Sequence, residues 1–197
     1  MKKRNPKFRQ IVKTAKDLFW KHGMSRITVE EICEKSGVSK MTFYKHFSNK
    51  TELAKHILQE LFDEGIQVYR EIMESNKPYV EKVKAIIQMK MDFTKEISQE
   101  FINDLYKGDD PELQEMIEKY VSRNMEMILK DFKKAQKEGN IRKDINPHFL
   151  VYMMNKTIDF STDEQLIKLY STPQEMINEF VRFFYYGIMP ESDEQLK

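Results

Sequence analysis

Residues 37–50 read GVSKMTFYKHFSNK, and this short stretch sets three lysines, a histidine and a tyrosine beside two phenylalanines. Lysine and protonated histidine meet phosphates, a phenol hydroxyl donates to one, and methyl-bearing side chains touch base edges. Such a set suits a polyanion-binding surface. Read as a helix at 100° per residue, the stretch places Phe43 and Phe47 on one face. Met41 and Lys45 then face directly outward, Thr42 lies beside them, and Tyr44 and His46 flank that face. Ser39 stands at the N-cap, where its hydroxyl takes a free backbone amide. Lys50 falls in the first turn of the following helix and adds charge beside a helix N-terminus, itself an anion site.

Holding these side chains in place requires a scaffold. Val29, Ile32, Cys33 and Ser36 repeat at i, i+3, i+4 and i+7, and Ile11, Ala15, Leu18 and Phe19 form a second apolar stripe in 6–22. The two stripes predict a small three-helix core that Phe43 and Phe47 complete. Lys35-Ser-Gly-Val-Ser39 joins the second helix to the third, as in a helix-turn-helix. Thr28 caps the second helix and, like Ser39, has a hydroxyl that can also meet a phosphate. The expected duplex-facing set is Thr28, Ser39, Lys40, Met41, Thr42, Tyr44, Lys45, His46 and Lys50. Charge segregates with it: residues 1–60 hold 14 Lys+Arg against 6 Asp+Glu (+8), and the remainder holds 19 against 26 (−7). A basic head on an acidic body fits a polyanion-binding module joined to a different one.

The rest of the chain also reads as helix, with 6 Gly, 6 Pro and no sustained alternation of apolar and polar residues. Pro6, Pro111, Pro147 and Pro173 each follow an Asn, Asp or Thr, a start signal for a helix. Thr28/Glu31, Asn49/Glu52 and Thr172/Glu175 have capping-box spacing. Gly23, Gly37, Gly108 and Gly139 fall where helices should stop. The predicted helices cover 6–22, 28–35, 39–46, 49–75, 79–98, 101–107, 111–138, 147–169 and 173–188. The charge shift puts a domain boundary near 48, giving domains 1–48 and 49–197.

Ala15, Leu18, Phe19, Gly23, Thr28, Val29, Ile32, Gly37-Val-Ser-Lys40, Thr42-Phe-Tyr44, His46-Phe47, Lys50 and Leu53 together resemble the DNA-binding domain of the TetR family. The match covers about 8–53. Met41 departs from it where glycine is common, Cys33 where alanine is common, and Ile27 where a second threonine is frequent. The resemblance implies an all-α protein, with a three-helix helix-turn-helix domain followed by a helical ligand-binding and dimerisation domain. It also implies a homodimer on a pseudo-palindromic, double-stranded DNA operator, usually acting as a repressor. A small molecule in the second domain would move helix 49–75, respace the recognition helices and release the DNA.

Two further expectations concern the second domain. Met176, Ile177, Phe180, Val181, Phe183, Phe184 and Ile188 make an apolar face too wide for a helix packed on one neighbour, which predicts a homodimer through residues 147–188. The central helices are rich in methionine and aromatic residues, and the chain holds 13 Met. Such side chains suit an adaptable cavity for a small apolar or aromatic effector. Its expected lining is Phe93, Phe101, Tyr120, Met127, Tyr152 and Asn155, with Asp159 positioned for a cationic group if it turns inward.

Other chemistries find little support. No nucleophile elbow, phosphate loop or HExxH occurs, so no enzyme and no cofactor are expected. Glu52, His56 and Glu60 stack at i, i+4, i+8, but an exposed helix face accounts for them and no metal is expected. Cys33 falls on an apolar stripe, as a buried structural thiol does. A single cysteine, no signal-peptide h-region and no apolar run longer than FLVYMM point to a cytoplasmic protein without a membrane span.

Overall fold

The computed structural model describes residues 5–190. Its helices are α1 (Pro6–His22), α2 (Val29–Ser36), α3 (Lys40–Tyr44), α4 (Lys50–Glu74), α5 (Tyr79–Phe93), α6 (Gln99–Lys107), α7 (Pro111–Lys137), α8 (Pro147–Ser161), α9 (Glu164–Ile167) and α10 (Pro173–Gly187). No strand occurs among the described residues, as the all-α reading expects.

The starts follow local chemistry. Side-chain oxygens of Asn5, Thr28, Ser39, Ser98, Asn146, Asp163 and Thr172 each accept an amide from the first turn they precede. The three capping boxes are only half reciprocal. The Glu52 and Glu175 carboxylates accept from the amides of Ser48 (2.6 Å) and Ser171 (3.0 Å), one residue before the cap. Glu31 instead pairs with Lys35 at 3.2 Å.

Several boundaries differ from the sequence reading. The expected helix 147–169 breaks after Ser161, because Asp163 accepts from the amides of Gln165 and Leu166 and starts α9 afresh. The expected helix 79–98 stops at Phe93, and Glu96 in the turn beyond it has φ +61°. The helix 39–46 shortens to α3, although the Phe47 amide still donates to the Phe43 carbonyl at 3.0 Å.

Packing groups the chain into two compact units. The first comprises residues up to Glu64 together with Glu96–Glu118, so the expected boundary at 48 falls inside it. Its buried side chains include Ile11, Ala15, Leu18 and Phe19 of α1 and Ile32, Cys33 and Ser36 of α2, with Val29 half-buried, then Leu53, Ala54, Ile57 and Leu58 of α4, Phe101, Ile102 and Leu105 of α6, and Leu113 and Ile117 of α7. The second comprises Gly65–Lys95 and Lys119 onward. Its core is built on Val83, Ile86, Ile87, Phe132, Ile141, Leu150, Phe184 and Tyr185. At roughly 1.5–3 kcal/mol per fully buried large apolar side chain, burial of this kind dominates the stability of each unit.

Candidate nucleic-acid interface

The candidate surface begins where α2 ends. Gly37 sits in the left-handed region at φ +64°, while its amide and that of Val38 donate to the carbonyls of Glu34 (3.1 Å) and Cys33 (3.0 Å). Glycine takes that conformation without a Cβ penalty, which turns the chain sharply into α3. Ser39 Oγ accepts from the Thr42 amide at 3.2 Å and shares a hydrogen bond with Thr42 Oγ1 at 3.0 Å.

Phe43 is fully buried and Phe47 nearly so, which fixes the rotation of α3. Its other face is open. Met41 is 68% exposed and Tyr44 54%, large values for such side chains, and Lys45 is exposed beside them. The Tyr44 ring lies T-shaped to Phe43, with ring centroids 5.4 Å apart. Thr42 is half-buried and Thr28 exposed, each engaged in its cap. His46 is half-buried, with its ring edge-on to Phe8 at 5.6 Å. Lys40 forms an ion pair with Glu30 of α2.

Lys50 corrects the sequence reading. Its ammonium donates to the carbonyls of Met24 (2.8 Å), Ser25 (3.1 Å) and Ile27 (2.8 Å), in the turn between α1 and α2. Partial burial pushes its pKa down, as the loss of water around a charge requires. Its three N–H groups are thus committed to ordering the turn, which a phosphate contact would have to give up.

The same turn is fastened from α6. Asp104 accepts from the Ser25 amide at 2.8 Å and from Ser25 Oγ at 2.7 Å. Gly23, at φ +81°, leaves room for this: a Cβ there would lie 2.6 Å from Asp104 Oδ2. Trp20 lies against Phe101 with ring centroids 4.3 Å apart, and the Ser98 amide donates to the Trp20 carbonyl at 3.0 Å. Sequence reasoning missed Asp104, because a hydrogen bond across 79 positions leaves no local pattern, and Ser98, whose contact with Trp20 is made by its backbone amide.

The expected ligand residues are not gathered. Phe101 is fully buried in the first unit as the partner of Trp20, a packing role that corrects its assignment to a cavity. Tyr152 and Asn155 are exposed on α8, where the Lys156 ammonium lies 5.7 Å from the Tyr152 ring and pairs with Asp159 at 2.7 Å. Phe93, Tyr120 and Met127 are half-buried. A cavity of about 420 Å³ lies elsewhere in the second unit, walled chiefly by Met153, Thr157, Phe160, Tyr170, Met176 and Phe180. Among the described residues no group of three or more His, Cys, Asp or Glu is placed to hold a metal, and Glu52 is turned toward Ser48.

Residues 11–57 match the model of the bacterial regulatory proteins of the tetR family. The chain is 29% identical over 90 residues to the HTH-type transcriptional activator FasR of Mycolicibacterium smegmatis, covering 46% of this chain and 41% of that one. It is 39% identical over 54 residues to the HTH-type transcriptional regulator TtgR of Pseudomonas putida, covering 27% and 26%. These matches span less than half the length of either relative. The fold is similar to that of the fatty acid degradation regulator FadR of Bacillus halodurans, with TM-score 0.72, 18% identity and coverage of 94% and 98%. Residues 11–57 thus carry the DNA-binding head of the TetR family. Its three departures from the TetR-family pattern have separate places: Ile27 and Cys33 are buried in the head, and Met41 stands on the open face. Burial also raises the Cys33 thiol pKa, so it stays protonated as a small core residue.

Proposed function

We propose that this chain is a DNA-binding transcriptional regulator of the TetR family that holds a pseudo-palindromic operator as a dimer and releases it to a small effector. The observation that carries the reading is the open face of α3, where Met41, Tyr44 and Lys45 project from a helix locked by buried Phe43 and Phe47. Met41 can touch a thymine methyl, and Tyr44 and Lys45 can meet phosphates on either side. Thr28, Ser39 and Thr42 add hydroxyls at the rim, while Lys50 supports the surface from behind.

Exposed apolar residues support the dimer. Phe149, Tyr152 and Phe160 on α8 and Phe183 and Tyr186 on α10 are open in the single chain, a cost that an isologous partner removes. The apolar cavity of about 420 Å³ beside them supports a lipophilic effector. FadR is named for fatty acid degradation, and an acyl chain suits such walls. The effector acts if it binds a subunit arrangement that the operator rejects. FasR is named an activator, so repression here is the reading to test.

Operator selection from random duplexes with the purified protein tests DNA binding, and titration of acyl and aromatic compounds against the selected complex tests release. Selection of no sequence would overturn the operator reading. Tyr44→Phe should weaken binding to the selected and to random duplexes alike, since a phosphate contact carries little base information.

A further inference from the structure

The ion pair between Glu30 and Lys40 joins the second residue of α2 to the first residue of α3 across the helix-turn-helix. Both side chains are more than half exposed, at 59% and 57%. A pair so wet contributes little to stability, since exposed ion pairs give roughly 0–1 kcal/mol. The scaffold does not depend on it either, because Phe43, Phe47, Ile32 and Cys33 already hold the two helices together. The neighbouring carboxylate, Glu31, is engaged with Lys35 at 3.2 Å, so Lys40 is the cation that Glu30 holds.

The pair has its main consequence at the DNA-facing end of the helix. Lys40 is the only lysine within α3, and Lys45 caps its other end. With Glu30 on its ammonium, Lys40 presents no net charge to an approaching duplex, and a phosphate must displace a carboxylate to reach it. The carboxylate pKa is held below its ordinary range chiefly by the Lys40 hydrogen bond, so the pair stays charged at neutral pH.

We propose that Glu30 is a positioning residue for DNA recognition: it masks Lys40 in the free protein and so suppresses binding to DNA of arbitrary sequence. Non-specific binding is almost wholly electrostatic and loses most when one cation is withheld. A correct operator adds base-edge contacts from Met41 and its neighbours, and these offset the exchange of carboxylate for phosphate. Glu30 thus acts on the ratio between right and wrong sites, as a repulsive element does. The inference rests on the DNA-binding reading above.

The test compares the parent, Glu30→Gln, Lys40→Gln and the double variant on a selected operator and on a random duplex over a range of salt. Glu30→Gln should tighten random-duplex binding about two- to fivefold, the amount a surface ion pair withholds. It should tighten operator binding less, and should steepen the slope of log affinity against log salt by about one, the signature of one added phosphate contact. Adding Lys40→Gln should abolish both changes. Thermal unfolding of all four proteins checks that the head stays folded, and a mere loss of helix packing would not steepen a salt slope. Unchanged affinity and slope in Glu30→Gln would overturn the masking role. Weaker operator binding with an unchanged salt slope would also overturn it and assign Glu30 to a base, such as a cytosine amino group. Failure of the parent to bind any duplex would instead sink the DNA-binding reading itself.

Discussion

Lys50 stands at the start of α4 with its ammonium turned toward three carbonyls of residues 24–27. Removing it would leave part-buried acceptors without donors, and each orphaned acceptor costs roughly 1–3 kcal/mol. Lys50→Met should therefore lower the urea midpoint of unfolding, and the folded fraction should keep most of its operator affinity. A variant of parental stability with a reduced salt slope would return Lys50 to the phosphate backbone. The charge of Lys50 was plain in the sequence, but its direction was not. Periodicity tells which face of a helix a residue occupies, and a four-carbon side chain can reach away from that face. Met41, Tyr44, Phe43 and Phe47 were legible for the converse reason: shorter or stiffer side chains stay where the 100° rotation puts them.

At the scale of the element, α4 carries a glycine in its interior. Gly65 has an open environment, since a Cβ there would touch only Phe93 Cε1 at an ordinary 3.9 Å. No close neighbour therefore requires a glycine at this point. Gly65→Ala should stabilise the protein by up to about 1 kcal/mol through helix propensity, read as a raised melting temperature. An unchanged or lower value would show that α4 needs to bend there. Helix existence was legible except for the separate α9, because Asn-Pro, Asp-Pro and Thr-Pro starts act locally. Helix ends were less so. The break between α8 and α9 lies in Ser161-Thr162-Asp163, where a cap competes with continuing periodicity, and the stripe alone cannot say which wins.

For the whole molecule, charge and apolar surface set two expectations. Phe183 is 78% exposed on α10, so Phe183→Glu should leave the fold intact while shifting sedimentation at micromolar concentration from a dimer to a 23.7 kDa species. A parent that sediments as that species already would remove the dimer. The second expectation concerns acid. Ser48 holds the Glu52 carboxylate below its ordinary range, and Arg142 brings Asp144 down to about 2. Both groups have folded-state pKa values below their unfolded ones, so they add stability above about pH 4 that is lost as pH falls. For Asp144 that loss runs from about pH 4 to about 2. The urea midpoint at pH 3 should lie below that at pH 6, and Glu52→Gln with Asp144→Asn should narrow the gap. The partition of the chain was the least legible feature, because charge marks where composition changes and packing follows contacts such as Asp104 with Ser25. Those contacts bear on modularity. The first unit is discontinuous in covalent order, so a recombination point placed after the helix-turn-helix would sever it. Exchange of the head between this chain and a relative should succeed only when the segment equivalent to 96–118 travels along, and a chimera joined at 48 should leave Trp20 without its ring partner and bind duplex poorly.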